Sequence, residues 1–283
     1  NGLVKYAEEA RDKTANSTIA EAEGINSMVD QFANVIEEDS EIPLPDTRSE
    51  IEKARDEETV FEEKTELKDK HGNKVKVPVG FKIASDSGIT IQQGIVIEDV
   101  SASTDVNVQG SQYVWIPVGT FKKDDGSTSG NIQLARYTFD KNGTSTPQQY
   151  ATNYTESTVI ETYYTELSTY DEGKESSGLD GKNATAKDLK GFIDSVNDNG
   201  GYYIGRYEAS YASGSSDNYS ECKAASKVTK GYSEESMAYT PGTLWNFINQ
   251  PSASKVAINT YAGSTSVKSD LLNSYAWDTA IVY

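Results

Sequence analysis

The stretch Tyr113-Val-Trp-Ile-Pro-Val118 decides the fold, because it is a short apolar run with an aromatic side chain at alternate positions. Such a run predicts a buried strand. Pro117 stands near its end and has no N–H group to donate, which favours a position at the edge of a sheet. A second run, Tyr202-Tyr-Ile-Gly-Arg-Tyr-Glu208, predicts another strand, directly after a helix stop at Asn199-Gly-Gly201.

Around these runs, apolar residues alternate over short distances or recur at helical spacing. Alternation predicts further strands near 75–79, 89–91, 95–97 and 132–139. Helical spacing predicts helices at 186–198 and 251–261, and another from about 269 to the end. Two stretches rich in Tyr, Ser and Gly, 140–184 and 212–236, predict long exposed loops. The fold class is therefore α+β, with irregular loops in much of the domain.

The first 70 residues differ from the rest of the chain in charge and in hydrophobic pattern. They carry 20 acidic and 9 basic side chains, out of 44 and 26 in the whole chain. Apolar residues three or four positions apart predict an N-terminal amphipathic helix; they are Ala15, Ile19, Ala22, Ile25, Val29, Phe32 and Ile36. The composition of residues 41–70 predicts an acidic, solvated and partly helical spacer. This spacer leads to a globular domain at 71–283.

Composition narrows the class of protein and its partners. The formal net charge of −18 disfavours nucleic acid and anionic lipid surfaces as partners. A single cysteine and a single histidine exclude a disulfide framework and a multi-histidine metal centre. The 18 Tyr and 22 Gly are typical of extracellular binding surfaces, or more simply of a secreted β-rich protein. No apolar run in the sequence is long enough to cross a membrane, and we expect the chain to be a fragment cut at both ends.

Few side chains indicate specific chemistry. His71 lies in a turn, where a solvated histidine is expected rather than a Ser-His-Asp site. Lys223 could lower the pKa of the Cys222 thiol, although a bystander thiol is the simpler interpretation. Lys123-Asp-Asp-Gly-Ser127 resembles a calcium-binding turn and also fits an ordinary hairpin turn. We predict no catalytic residue and no cofactor-binding residue, and a structural calcium ion is the one metal considered.

Four segments, taken in order, resemble a known family. They are Tyr113-Val-Trp-Ile-Pro-Val-Gly-Thr-Phe121, Gly201-Tyr-Tyr-Ile-Gly-Arg-Tyr-Glu-Ala-Ser210, Pro241-Gly-Thr-Leu-Trp-Asn-Phe247 and Leu271-Leu-Asn-Ser-Tyr-Ala-Trp-Asp-Thr-Ala280. Together they are similar to the formylglycine-generating enzyme (sulfatase-modifying factor) family. The resemblance covers roughly residues 75–283 and implies an incomplete, C-terminally truncated C-type-lectin-like fold.

The resemblance also implies which residues belong to the scaffold and which functions are missing. The scaffold residues that it marks are Trp115, Gly201, Arg206, Glu208, Trp245 and Trp277, and the last two tryptophans are expected in the core. In the true enzymes, two cysteines bind copper, and they belong to the half of the family's domain that the resemblance does not cover. Cys222 does not correspond to them, so any catalytic residues of the family would lie beyond Tyr283. Many members of this fold are not enzymes and present a variable binding face.

The N-terminus has a resemblance of its own. Asn1-Gly-Leu-Val-Lys-Tyr-Ala-Glu-Glu-Ala-Arg-Asp-Lys-Thr14 is similar to the stretch after the hydrophobic stem in type IV pilin-like proteins of Gram-positive bacteria. This resemblance implies a helical stem at 1–40 that packs against other pilus subunits. A generic amphipathic helix is the alternative interpretation.

These observations lead to one expected function and two alternatives. We expect a non-enzymatic protein that a pilin-like stem displays at the cell surface and that binds an extracellular protein or glycan. The first alternative is an oxidase relative of the formylglycine-generating type whose catalytic half is missing. The second is a structural minor pilin. All three place the protein outside the cytoplasm, anchored through a hydrophobic segment of the stem that this chain does not contain.

Overall fold

The computed structural model describes residues 46–151, 189–215, 218–227, 240–245, 248 and 250–283. The chain divides into two units, Asn1–Thr47 and Arg48–Tyr283, and nearly all described residues belong to the second. The predicted N-terminal helix and pilin-like stem lie outside the described residues. So do the greater part of the predicted loop at 140–184 and residues 216, 217 and 228–236 of the predicted loop at 212–236.

The second unit is a mixed α+β structure of small antiparallel sheets and short helices. Its first half contains α1 (Glu50–Asp56), β1 (Thr65–Lys68), β2 (Lys74–Val77), β3 (Phe81–Ile83), a 3₁₀ turn (Ile91–Gln93), β4 (Val96–Asp99), β5 (Gln112–Pro117), β6 (Gly119–Lys122), β7 (Ser129–Ile132), β8 (Ala135–Phe139) and β9 (Ser145–Tyr150). Its second half contains α2 (Leu189–Asn199), β10 (Gly201–Gly205), β11 (Ser210–Ser215), β12 (Asn218–Ala225), α3 (Gln250–Thr260) and α4 (Ser274–Val282). The α+β class predicted from the sequence is confirmed.

β5 is an internal strand of an antiparallel sheet whose order is β10-β5-β4-β3. It pairs with β10 over 113–117 but with β4 only over 112–114. The predicted edge position is therefore wrong. The last hydrogen bond toward β4 runs from the Trp115 N–H to the Ile95 carbonyl oxygen (2.8 Å). Because N–H groups on that side recur every second residue, the missing N–H of Pro117 falls past the end of this pairing and leaves no ladder bond broken.

Alternate residues of β5 belong to two different hydrophobic cores. Trp115 lies in the first core, which α1 and β1–β4 also build, and Ile116 lies in the second, with α2 and α4. β10 repeats the pattern, since Tyr203 packs against the first core and Tyr202 lies in the second. Apolar side chains therefore cover both faces of the sheet, which explains why 113–118 is a continuous apolar run.

Residues 48–68 are part of the folded unit and not of a solvated spacer. Ile51 and Leu67 are buried in the first core, and the Ser49 hydroxyl caps α1 by accepting a hydrogen bond from the Glu52 N–H (3.2 Å). The spacer predicted over 41–70 is thus wrong for this part. Acidic residues dominate its composition, but they lie on the solvent side of α1, and the buried positions Ile51 and Ala54 are three apart.

The structure differs from prediction in two further segments. Residues 89–91 do not form a strand, because Thr90 caps the 3₁₀ turn and Gly94 closes it with a φ of 81°. The predicted loop at 212–236 contains the hairpin of β11 and β12, whose buried Cys222 packs with Tyr211 and with Val256 of α3. Ser and Tyr are common in this hairpin, and its composition therefore resembles that of a loop.

Helix ends agree better with the sequence. α2 ends at Asn199, followed by Gly200 with a φ of 73°, as the Asn-Gly-Gly stop predicts. α3 matches the predicted helix at 251–261 within one residue. α4 begins at Ser274 rather than near 269, because the Asn273 side chain accepts a hydrogen bond from the Ala276 N–H (3.0 Å) and starts the helix there. In the described part of the chain, every helix is too short or too polar to cross a membrane.

Candidate functional site

An open groove with a volume of about 470 Å³ lies beside the β5–β10 pair. Side chains of β1 and β2 line one side of it, and residues 198–200 at the end of α2 line another. Gly72 and Asn73 of the turn before β2, residues 117–121, where β5 passes into β6, and Ile91 of the 3₁₀ turn complete the lining. We call this site the β1–α2 groove.

On the β1–β2 side, one carboxylate holds two ammonium groups. Glu66 Oε1 lies 2.9 Å from Lys74 Nζ, and Glu66 Oε2 lies 3.2 Å from Lys76 Nζ. The two lysines share a face of β2 because side chains of a strand alternate, and Glu66 lies opposite Lys76 in the β1–β2 register. The hydrogen bond from Lys74, and then that from Lys76, lowers the pKa of Glu66 below its ordinary value. The carboxylate therefore stays charged at neutral pH.

The turn before β2 is rigid. The buried carboxylate of Asp69 accepts hydrogen bonds from the N–H groups of His71 (2.8 Å), Asn73 (2.9 Å) and Ile91 (3.1 Å). The Asn73 side chain donates to the Lys122 carbonyl oxygen (2.8 Å) and accepts from the Lys122 N–H (2.7 Å). These bonds attach the start of β2 to the end of β6, and they fix one rim of the groove.

On the α2 side, hydrogen bonds attach the helix end to Val118, which follows β5, and to Lys64, which precedes β1. The Val118 N–H donates to the Gly200 carbonyl oxygen (2.9 Å), and Lys64 Nζ donates to Asn199 Oδ1 (2.5 Å). Asp198 is exposed at the same helix end. The last carbonyl groups of a helix carry partial negative charge, so this side of the groove favours hydrogen-bond donors.

Two of the predicted scaffold residues position the groove without lining it. Trp115 is 2% exposed, and its ring packs on Tyr203 with centroids 4.9 Å apart. A Cβ on Gly201 would lie 2.5 Å from both the Ile116 carbonyl oxygen and Trp115 Cζ2, so a glycine is required for β10 to approach β5. That approach places Gly200, the next residue, on the lining of the groove.

The lining combines an apolar strip with polar groups at the rim. Pro117, Val118 and Phe121 supply the strip, while carboxylates, amides, ammonium groups and the exposed Thr120 supply donors and acceptors. Such a combination suits a small ligand whose ring has C–H groups on one face and polar groups at its edge, because apolar contact gives affinity and a few polar groups fix orientation. The arrangement offers a small ligand both apolar contact and hydrogen-bonding partners.

The remaining predicted scaffold residues lie elsewhere. Arg206 follows β10 and donates to both oxygens of Asp86 (2.9 Å each) and to Gln112 Oε1 (2.7 Å). Glu208 is exposed in the loop after β10. Trp245 is half-buried with its ring 5.3 Å from that of Tyr211, and it packs against the buried residues Tyr211, Cys222 and Val256.

Trp277 is not a core residue. It is 55% exposed on α4, and Ile281, one turn further along the helix, is 52% exposed. The core position expected for Trp277 is therefore wrong. Tyr275 and Ala276, its neighbours on α4, are the residues that fill the second core. A resemblance in sequence order does not determine which helix face is buried, and here the aromatic residue two positions earlier is the buried one.

The calcium-like turn is closed by its own hydrogen bonds. Asp125 accepts from the N–H groups of Ser127 and Thr128 (2.8 Å each) and from the Thr128 hydroxyl (2.5 Å). The hydroxyl bond and then the backbone bonds lower the pKa of Asp125 to about 2. No three His, Cys, Asp or Glu side chains come together as metal ligands within the described residues. The contacts support the hairpin-turn interpretation, and the structural calcium ion stays a prediction.

His71 differs from its predicted solvated state, whereas the burial of Cys222 fits the bystander interpretation. His71 is not solvated, since its side chain is 14% exposed, and its Nε2 lies 3.8 Å from Asp124 Oδ1. Cys222 is buried and donates to the Ser215 carbonyl oxygen (3.0 Å). Burial raises the pKa of the Cys222 thiol, which is opposite to the effect expected from the neighbouring Lys223.

Comparison of this chain with protein-family models, curated proteins and solved structures gave no match. The two family resemblances therefore rest on the sequence segments that carry them, and both stay predictions. The same holds for the scaffold roles that the first resemblance implies.

Sequence reasoning assigned no function to the residues that line the groove. One signal was present, because Lys74 and Lys76 alternate with Val75 and Val77 and so had to share the polar face of a strand. The predicted spacer at 41–70 hides their partner Glu66. The contribution of α2 depends on the pairing of β5 with β10, which is a long-range contact that no local pattern reveals.

Proposed function

We propose that this chain is a non-enzymatic recognition protein that binds an extracellular glycan in the β1–α2 groove. The observation that carries the proposal is the lining itself, which combines the apolar residues Pro117, Val118 and Phe121 with polar residues of β1, β2 and the end of α2. Rigid sides reduce the entropy that is lost when a ligand binds. A shallow site for a polar ligand needs this reduction. The Tyr-, Gly- and Ser-rich composition supports an extracellular setting.

The proposal includes display at the cell surface. Residues 1–40 would form a pilin-like stem whose apolar seam packs against other pilus subunits, and the folded unit from Arg48 onward would carry the binding groove. The support for this part is the resemblance of residues 1–14 and the helical spacing between Ala15 and Ile36. Adhesion follows as the role of such a protein, because one end would assemble and the other would bind.

A glycan array with a blocked groove tests the proposal. Thr120 is exposed in the lining, so a Thr120→Trp substitution fills the groove without disturbing the core. We expect the 283-residue chain to bind a reproducible set of glycans and the Thr120→Trp variant to lose them. Thr138→Trp is the matched control, because Thr138 is an exposed strand threonine outside the groove.

The control separates blocking from damage. Thr138→Trp is expected to keep the full set of glycans. An array without reproducible hits would contradict glycan recognition. Hits that survive Thr120→Trp would place the binding surface elsewhere on the chain.

A further inference from the structure

We infer that the saccharide bound in the β1–α2 groove carries a carboxylate, as uronic and sialic acids do. This inference rests on the proposed function and adds the chemical class of the ligand. It comes from the arrangement of charge in the groove, where two ammonium groups face the site from one side and a carboxylate at a helix end faces it from the other.

The ammonium pair is preorganised. Both oxygens of Glu66 are used, one for Lys74 Nζ and one for Lys76 Nζ, so a single side chain holds both cations in place. Each ammonium group has three donors, and Glu66 occupies one on each lysine. The Lys74 side chain is 60% exposed and that of Lys76 is 30% exposed, so donors remain accessible from the groove.

One carboxylate cannot neutralise two ammonium groups, so Lys74, Lys76 and Glu66 leave an excess of one positive charge on the β1–β2 side of the groove. Asp198, the other charged residue of the lining, lies at the end of α2. This local positive charge is found in a chain whose formal net charge is −18. A carboxylate on the ligand would neutralise this remaining positive charge and accept charge-assisted hydrogen bonds from Lys74 and Lys76.

The α2 side accounts for the rest of the ligand. Asp198 and the terminal carbonyl groups of α2 accept hydrogen bonds from hydroxyl or amide N–H groups. The apolar strip at 117–121 contacts the C–H groups of a ring. A saccharide with a carboxylate at one end and hydroxyl groups at the other satisfies both sides, whereas a neutral saccharide leaves the lysine side to water.

The test compares the methyl glycosides of glucuronic acid and glucose, which differ only at C6, a carboxylate in the glucuronide and a hydroxymethyl group in the glucoside. Binding to the full chain is followed by heteronuclear NMR, which detects weak ligands. We expect the glucuronide to bind about tenfold more tightly than the glucoside, since hydrogen bonds to charged groups are worth about one factor of ten at an exposed site. Added salt is expected to weaken the binding of the glucuronide and to leave the binding of the glucoside unchanged.

Two variants make the test specific. In the Lys74→Gln/Lys76→Gln double variant, the preference for the glucuronide is expected to fall to about onefold, with glucoside binding retained. Lys190→Gln is the matched control, because Lys190 is an exposed lysine of α2 paired with Asp194 and does not line the groove. It is expected to keep the preference.

The possible failures are distinguishable. Equal binding of both glycosides in the groove would overturn the carboxylate inference and leave glycan recognition standing. Absence of shifts at the groove residues with every saccharide on the array would overturn the proposed function as well. A glucuronide preference that survives the double lysine variant would overturn the assignment to Lys74 and Lys76.

Discussion

The buried β5–β10 junction and the groove beside it are one residue apart, yet they differ completely in packing. At the junction, Gly201 lies so close to Trp115 and Ile116 that an added Cβ has no room. At Gly200, which lines the groove, a Cβ would meet no atom within 4 Å. The junction is packed to contact and the groove is left open.

The difference separates residues that hold the fold from residues available to a ligand. Close packing fixes Trp115 and Gly201, because any change of volume there must move backbone. The groove side chains are held instead by hydrogen bonds and ion pairs at the surface, which contribute little to the free energy of unfolding. Substitutions at the junction should therefore change stability, and substitutions in the groove should change binding.

The largest effect is expected for Trp115. Trp115→Ala removes a side chain that is 2% exposed and should lower the free energy of unfolding by about 3–5 kcal/mol. Trp277→Ala removes one that is 55% exposed and should change it by less than about 1 kcal/mol. Urea denaturation followed by circular dichroism measures both values. Equal losses for the two tryptophans would contradict the burial assigned to them.

The neighbouring glycines give a sharper comparison with a smaller effect. Gly201→Ala forces a Cβ to within 2.5 Å of backbone and ring atoms and should destabilise the fold by about 2–4 kcal/mol. Gly200→Ala meets no neighbour, and its cost is that of a positive φ, about 1 kcal/mol. The same denaturation experiment measures both. A larger loss at Gly200 than at Gly201 would place the close approach at the wrong residue.

Alkaline pH is expected to destabilise the fold around the β5–β10 junction, because buried tyrosines there resist ionisation. Tyr113 donates or accepts a hydrogen bond with Tyr261 (3.1 Å), and burial raises the pKa of Tyr113 to about 12 from an unfolded value near 10. The folded state therefore favours the neutral phenol. Its stabilising contribution is complete below pH 10 and is lost as the pH rises through about 12.

Ultraviolet titration of tyrosinate, combined with circular dichroism, measures this loss. A group of buried tyrosines should ionise only as the fold is lost, above pH 10. Tyr113→Phe, which keeps the ring and removes the ionisable group, should shift unfolding to higher pH. If all 18 tyrosines ionised together while the fold stayed intact, the burial of Tyr113 would be contradicted.

Local patterns were sufficient for part of this structure. The strand at 113–118, the stop of α2 at Asn199 and the helix at 250–260 follow from period, turn chemistry and helix propensity, each of which acts within a few residues. Composition was misleading where a few buried residues stand among many polar ones. Ile51 and Ala54 in α1, and Cys222 in β12, are such positions.

The groove needed information that local patterns do not contain. Its charged side depends on the pairing of β1 with β2, and its other side on the bond between Val118 and Gly200, which are 82 residues apart in the chain. Trp277 shows the same limit from another direction. The resemblance of the segment at 271–280 implies a core position for it, but Tyr275 fills the core and Trp277 is exposed.

Chemical-shift mapping of the full chain with the glycan selected on the array would locate the binding surface residue by residue. We expect the perturbed amides to cluster at 72–76, 118–121 and 198–200, with the Trp277 indole unchanged. Perturbation of the exposed α4 face at Trp277 and Ile281, with those three segments unchanged, would contradict the assignment of the β1–α2 groove as the binding site.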